Sequence, residues 1–201
     1  MPSIGNDGLS GYPTASLAHL ARVHHRRGAA TDGYFSAWIG GRLELSGIVK
    51  CWAIDRGCSI LEQSGHVNYF IDAGGDVQAC GRREDGSLWR VGIRHPVRRD
   101  KVVRVVLASG LAVATSGTYE KWDHIFDPHT GRAADHLLSL TVVGPDIVPA
   151  DVYATACFAM GRRGLEFIER TTGYEAYAID RDLVGSWTAG FDALCEKREV
   201  V

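Results

Sequence analysis

Apolar residues in this chain recur in two rhythms, and each change of rhythm marks an element. Leu17, Leu20, Ala21 and Val23 share one face of a helix that Ser16 can cap and that runs to about Arg27. Gly28 ends it, and TDGYFSAWIGG (31–41) reads as a loop with aromatic anchors. Over 43–65 the period is helical again. Ser46 stands as the N-cap, Ile48, Val49, Trp52, Ala53, Arg56, Ile60 and Leu61 predict a broad buried face, and Gly65 is placed to stop the helix. VNYFIDA (67–73) is β-branched and aromatic, so it predicts a buried strand running into Gly74-Gly75-Asp76. SLWRVGIRHP (87–96), KVVRVVLAS (101–109), LAVATSG (111–117) and LLSLTVV (137–143) predict further strands, with Glu84-Asp85-Gly86 as a hairpin turn. Helices follow at about 150–161 and 164–172, then a strand over 174–180, while SWTAGFDAL (186–194) has no decisive period. Strands come in consecutive groups with helices elsewhere. That predicts an α+β fold, a mostly antiparallel sheet with packed helices, rather than a doubly wound parallel one.

Composition narrows the function without naming it. A length of 201 residues suits one domain over 1–201, with the Gly- and Pro-rich residues 1–13 as an irregular arm. The net charge of −2 argues against a nucleic-acid footprint, and Arg82-Arg83 and Arg98-Arg99 read as short solvated turns. The five cysteines, at 51, 58, 80, 157 and 195, are odd in number and form no CxxC pair, so free thiols and a reducing compartment are expected. The first residues lack a charged n-region and an apolar h-region, and no apolar run approaches the roughly 20 residues of a membrane helix. As written the chain is expected in the cytoplasm. It would be exported if the true N-terminus lies upstream.

The candidate chemistry concentrates between Ala114 and Met160. Thr115, Ser116, Thr118, Glu120, Asp123, His124 and Asp127 precede the strand 137–143, and Ala150-Asp151 then opens an apolar helix. Asp151 and Thr155, four residues apart in a first helical turn, share a face and offer oxygen ligands to a hard cation, magnesium rather than zinc. The bland alternative is an Asp meeting the helix dipole. Gly74-Gly75-Asp76 are candidates for the nucleotide site, because two glycines let backbone amides approach a phosphate; neither GxGxxG nor GK[ST] is present, and taken alone a tight turn ending in an Asp76 cap is the more common reading. His124 could move a proton, beside a partly apolar wall of Trp122, Ile125 and Phe126. Lys50, inside an apolar helix, either snorkels or meets a phosphate or carboxylate. The adjacent His24-His25 cannot share a helix face and make a poor metal pair.

In order, ELSGIVKCWAIDRG (44–57), FIDAGGDV (70–77), LWRVGIRHP (88–96), ATSGTYEKWDHIFDPHTGR (114–132) and ADVYATACFAMG (150–161) resemble the ApbE-type FAD:protein FMN transferases, formerly labelled thiamine biosynthesis lipoproteins. The resemblance implies the flavin transferase fold, with FAD as substrate and magnesium as cofactor. It also implies transfer of FMN to a Thr or Ser hydroxyl of an acceptor flavoprotein, with release of AMP. By position it implies Gly47 (through its carbonyl), Asp151 and Thr155 as metal ligands. Tyr34, Phe35, Ser36, Glu44, Lys50 and Ile125 would meet the flavin nucleotide, and His124 would transfer the proton. Against the family pattern the chain starts inside the N-terminal region, so the contacts of that portion are expected to be absent. Glu44 replaces an Asp, Ser36 replaces a second Asp, and Cys51 replaces a Gly. An FAD pyrophosphatase with the same metal and FAD sites, or an inactive truncated paralogue that binds flavin, are the alternatives.

Overall fold

The computed structural model describes residues 28, 30–36, 38–39, 42–43, 46–98, 100–118 and 125–197. The arm over 1–13, the helix expected over 16–27, and Glu44, Glu120, Trp122, Asp123 and His124 lie outside the described residues.

A short hairpin, β1 (Trp38–Ile39) with β2 (Arg42–Leu43), occupies part of the segment read as loop. Helix α1 (Ser46–Gln63) follows. Its buried stripe is Ile48, Cys51, Ile54 and Cys58, whereas Ala53, Arg56 and Ile60 face solvent. The stripe is thus rotated from the one expected, because two cysteines fill inward positions that the reading gave to larger residues. Strands β3 (Tyr69–Ala73) and β4 (Asp76–Cys80) form a hairpin. Gly74 and Gly75, at φ 66° and 95°, are its two-residue turn. This corrects the reading of Asp76 as a turn cap: it is the first residue of a strand, and it points into the protein. A side chain at Gly75 would meet nothing within 4 Å. Gly75→Ala is therefore expected to cost only backbone strain, about 1–2 kcal/mol, seen as a lower urea midpoint at unchanged m.

Strands β5 (Trp89–Arg94) and β6 (Val102–Ala108) make a separate hairpin, and β7 (Leu111–Gly117) returns to the main sheet. After the small pair β8 (Phe126–Asp127) and β9 (Arg132–Ala133) come β10 (Leu137–Gly144), α2 (Ile147–Met160) and α3 (Arg163–Glu169). Then β11 (Glu175–Asp180) is followed by β12 (Gly185–Trp187) and a 3-10 turn (Phe191–Leu194), which together resolve the ambiguous 186–194. The six-stranded sheet has the order β12-β11-β10-β7-β4-β3 and is antiparallel at every pairing.

The sheet is covered on both faces. Ala112, Ala114, Leu140 and Val142 face α1, α2 and α3. Val77, Val113, Val143 and Tyr177 face the β5–β6 hairpin and Phe191. Since α2 lies against the sheet, α1 and α3, 12 of its 14 side chains are buried, which explains why it reads as apolar all round. It begins at Ile147, earlier than expected. Asp151 therefore stands in the second turn, not the first, and the helix dipole does not account for it. No helix among the described residues is long and apolar enough to cross a membrane.

Candidate active site

Strand alternation selects which polar groups reach the helices. On β4, Val77 and Ala79 face the hairpin side, so Asp76 faces α1 and α2. On β7, Ser116 shares the parity of Ala112 and Ala114 and also faces α2. Between these strands and the two helices, four elements bring Lys50 and Cys51, Asp76, the Thr115 amide and the Ser116 side chain, and Asp151 and Thr155 into one polar cluster.

Asp76 is 2% exposed and fully engaged. Lys50 Nζ lies 2.6 Å from its Oδ2, and the Cys51 thiol donates to the same oxygen at 3.4 Å. The Thr115 amide donates to Oδ1 at 3.2 Å. Asp151 is the opposite case. It is 7% exposed, and its Oδ2 has no hydrogen-bond partner among the described residues. A buried oxygen without a donor is costly, and it persists where something outside the chain completes it. Ligand atoms of Cys51, Asp76 and Asp151 all lie within 4.8 Å of one another.

The electrostatics follow from this crowding. Burial, then the charge of Asp76, pushes Asp151 up to about 7, against the opposing pull of Cys51 and Lys50. Burial works against the Lys50 ammonium, yet Asp76, by charge and hydrogen bond, together with Asp151 outweighs it and holds Lys50 above its ordinary value. The Cys51 thiol is driven far up, first by burial and then by Asp151 and Asp76.

The donor set fits a hard divalent cation: an unpartnered carboxylate oxygen, a second carboxylate beside it, and the Thr155 hydroxyl one turn further along α2. Thr155 Oγ1 is 3.2 Å from Ser116 Oγ, which orients it. Gly47 lies in the first turn of α1, three residues before Lys50.

The remaining expected residues are placed elsewhere. Gly74 and Gly75 are exposed at the hairpin turn, and Gly75 N donates to Asp72 Oδ1 at 2.8 Å. With Thr115 and Arg94 they line a small cavity of about 40 Å³ under the β5–β6 hairpin. The Phe35 side chain is core, 5% exposed. Tyr34 packs edge-on to His129 with ring centroids 4.5 Å apart, and its hydroxyl accepts from Arg163 at 2.6 Å. That ties 34–36 to the start of α3, at the end of α2 away from Asp151. A cleft of about 650 Å³ adjoins this region, walled by His136, Arg162, Arg163 and Arg181 among others. Ile125 is half-buried against the helical core. Sequence reasoning missed Cys51 as a neighbour of both carboxylates and Ser116 as the partner of Thr155. The only hints were the polar run at the end of β7 and the position of Cys51 beside Lys50.

The model of the ApbE family matches residues 16–178. The chain is 29% identical, over 150 residues, to the FAD:protein FMN transferase of Escherichia coli (strain K12), covering 70% of this chain and 43% of that protein. It spans about half the length, or somewhat less, of the curated relatives it matches. Solved structures of ApbE proteins share its fold. The ApbE protein from Thermotoga maritima superposes with a TM-score of 0.82 at 22% identity, over 92% of this chain and 79% of that one. The apo flavinyl transferase ApbE of Pseudomonas stutzeri superposes at 0.79 and 23%, over 93% and 77%. With the family model running from the N-terminal third into β11, and the α+β fold shared with these structures, the chain belongs to the ApbE family.

Proposed function

We propose that this chain is a magnesium-dependent FAD:protein FMN transferase, which moves FMN from FAD to a Thr or Ser hydroxyl of an acceptor flavoprotein and releases AMP. One observation carries the reading: a buried carboxylate, Asp151, keeps an oxygen unpartnered among the described residues beside Asp76, with the Thr155 hydroxyl on the same helix. The relatives are FAD:protein FMN transferases, and that reaction is the one the site is read for.

Asp151, Thr155 and the Gly47 carbonyl would hold the magnesium ion. When bound, the ion would neutralise charge on the pyrophosphate oxygens. The chain's own groups do the rest. Asp76 fixes the Lys50 ammonium at the cluster's half-exposed edge, where it can meet a phosphate oxygen by a charge-assisted hydrogen bond. Ser116 holds the Thr155 hydroxyl. His124, which lies outside the described residues, has the family's proton-transfer position. The acceptor oxygen forms a bond to the FMN phosphorus, and the bond from that phosphorus to the AMP oxygen breaks. The hydroxyl proton passes to His124. Such a transfer needs alignment and charge balance more than covalent help.

The test is incubation with FAD, magnesium and an acceptor flavoprotein, followed by a denaturing gel. Flavin fluorescence that stays with the acceptor is the expected result. No fluorescence while a full-length relative labels the same acceptor refutes the reading, and release of AMP and FMN without labelling shows a hydrolase instead. Ser116→Ala should raise the magnesium concentration for half-maximal transfer roughly 10–100-fold, as loss of an outer-shell partner does, with little change at saturating magnesium.

A further inference from the structure

We propose that Cys51, Asp76 and Asp151 together form a thiolate-containing site for a zinc-class divalent ion, distinct in donor chemistry from the oxygen-only magnesium seat. Magnesium takes oxygen ligands, and a thiol adds nothing for it. Zinc takes carboxylate and thiolate together. The sulfur here is not remote. Cys51 Sγ is 3.4 Å from Asp76 Oδ2, and a ligand oxygen of Asp151 lies within 4.8 Å of both partners. A tetrahedral ion with its ordinary bond lengths to sulfur and oxygen separates those two ligands by about 3.6 Å. The pair therefore already stands close to the edge of such a polyhedron.

Two further observations point to a ligand. Asp151 is more than nine-tenths buried, and its Oδ2 is unpartnered among the described residues. Lys50, the competing cation on Asp76, has a side chain 38% exposed, so it can swing to water when an ion takes its place. All three ligating side chains are buried, which separates this group from a surface cluster of acids. Cys51 ligates as the thiolate and its proton passes to bulk solvent. The site exists whether or not the chain transfers flavin. If it does, zinc-class ions compete with magnesium for Asp151 and inhibit.

Cobalt(II) and zinc(II) are the probes. Cobalt added to the whole chain without FAD should give an ultraviolet sulfur-to-metal charge-transfer band and the intense visible bands of a tetrahedral ion. One equivalent of zinc should abolish them. Cys51→Ser should remove the charge-transfer band and weaken zinc binding by more than the roughly 10–100-fold that follows loss of an outer-shell partner. Asp151→Asn, with Cys51 intact, should weaken it similarly, which guards against a serine variant that does not fold. Zinc-edge X-ray absorption of the wild type should show one sulfur in the first shell, at about 2.3 Å. A shell of oxygen and nitrogen only, or a charge-transfer band that survives Cys51→Ser, overturns the proposal.

Discussion

Asp151→Ala should reduce magnesium-dependent FMN transfer by more than roughly 10³-fold, because a metal site supplies several kcal/mol of transition-state charge stabilisation and each 1.4 kcal/mol is tenfold in rate. The same change should make the metal-free protein more stable. Asp151 is buried with an unpartnered oxygen, and burial beside Asp76 raises its folded pKa well above the ordinary carboxylate range, to about 7. A carboxylate with a raised folded pKa binds its proton more tightly folded than unfolded. Between about pH 4 and 7 the folded state therefore holds more protons, and stability falls as pH rises through that window. Above it the ionised group costs roughly 3–5 kcal/mol. Metal-free wild type should melt at a higher temperature at pH 5.5 than at pH 8. Asp151→Asn should remove most of that difference, and saturating magnesium should restore stability at pH 8 through binding to the folded state alone. A melting temperature that does not change with pH in the metal-free wild type would mean that Asp151 is already paired. Loss of activity with gain of stability separates a functional residue from a structural one.

Lys50→Met should have the second largest effect, with the opposite sign for stability. Lys50 stands 2.6 Å from Asp76, and its charge is felt by Asp151 as well. Without the ammonium two buried carboxylates face each other with no counter-charge. Removing one partner of a fully buried pair costs about 3–5 kcal/mol. The Lys50 side chain is 38% exposed, so water offsets part of this and about 1–3 kcal/mol remains at pH 8. At pH 5.5 Asp151 is protonated and the penalty should shrink. In the double variant Lys50→Met, Asp151→Asn part of the loss should be recovered, since the repulsion between Asp151 and Asp76 is removed while Asp76 still lacks its counter-charge. Equal losses at both pH values would assign Lys50 a packing role only. In the transfer assay the single variant should chiefly raise the FAD concentration needed, because Lys50 meets the phosphate in the ground state as well as in the transition state.

What could be read beforehand was mostly local. Helical spacing puts Asp151 and Thr155 on one face, and the apolar period over 43–65 places Lys50 on a helix; the helices Ser46–Gln63 and Ile147–Met160 hold both. The strands over 87–96, 101–109, 111–117 and 137–143 carry unbroken apolar or alternating patterns, and all form. Strand β4 is not legible in the sequence, because Gly74-Gly75 suits a phosphate loop as well as a two-residue hairpin turn, and only the pairing Ala73↔Asp76 decides. The convergence of Cys51, Asp76 and Asp151 could not be seen, since it depends on sheet order across 100 residues. Tyr34 and Phe35 read as aromatic anchors of a loop, and only the family resemblance sets them at the flavin nucleotide. A core position for Phe35 and a clasp of Tyr34 by Arg163 leave the same composition in sequence.

Titration of magnesium into the chain by calorimetry, with FAD present and absent, bears most directly on the cation seat. The expected result is one ion per chain, bound more tightly with FAD, and lost in Asp151→Ala while FAD affinity without metal is unchanged. Magnesium bound equally well by Asp151→Ala, or FAD bound by the wild type with no dependence on the ion, would contradict it.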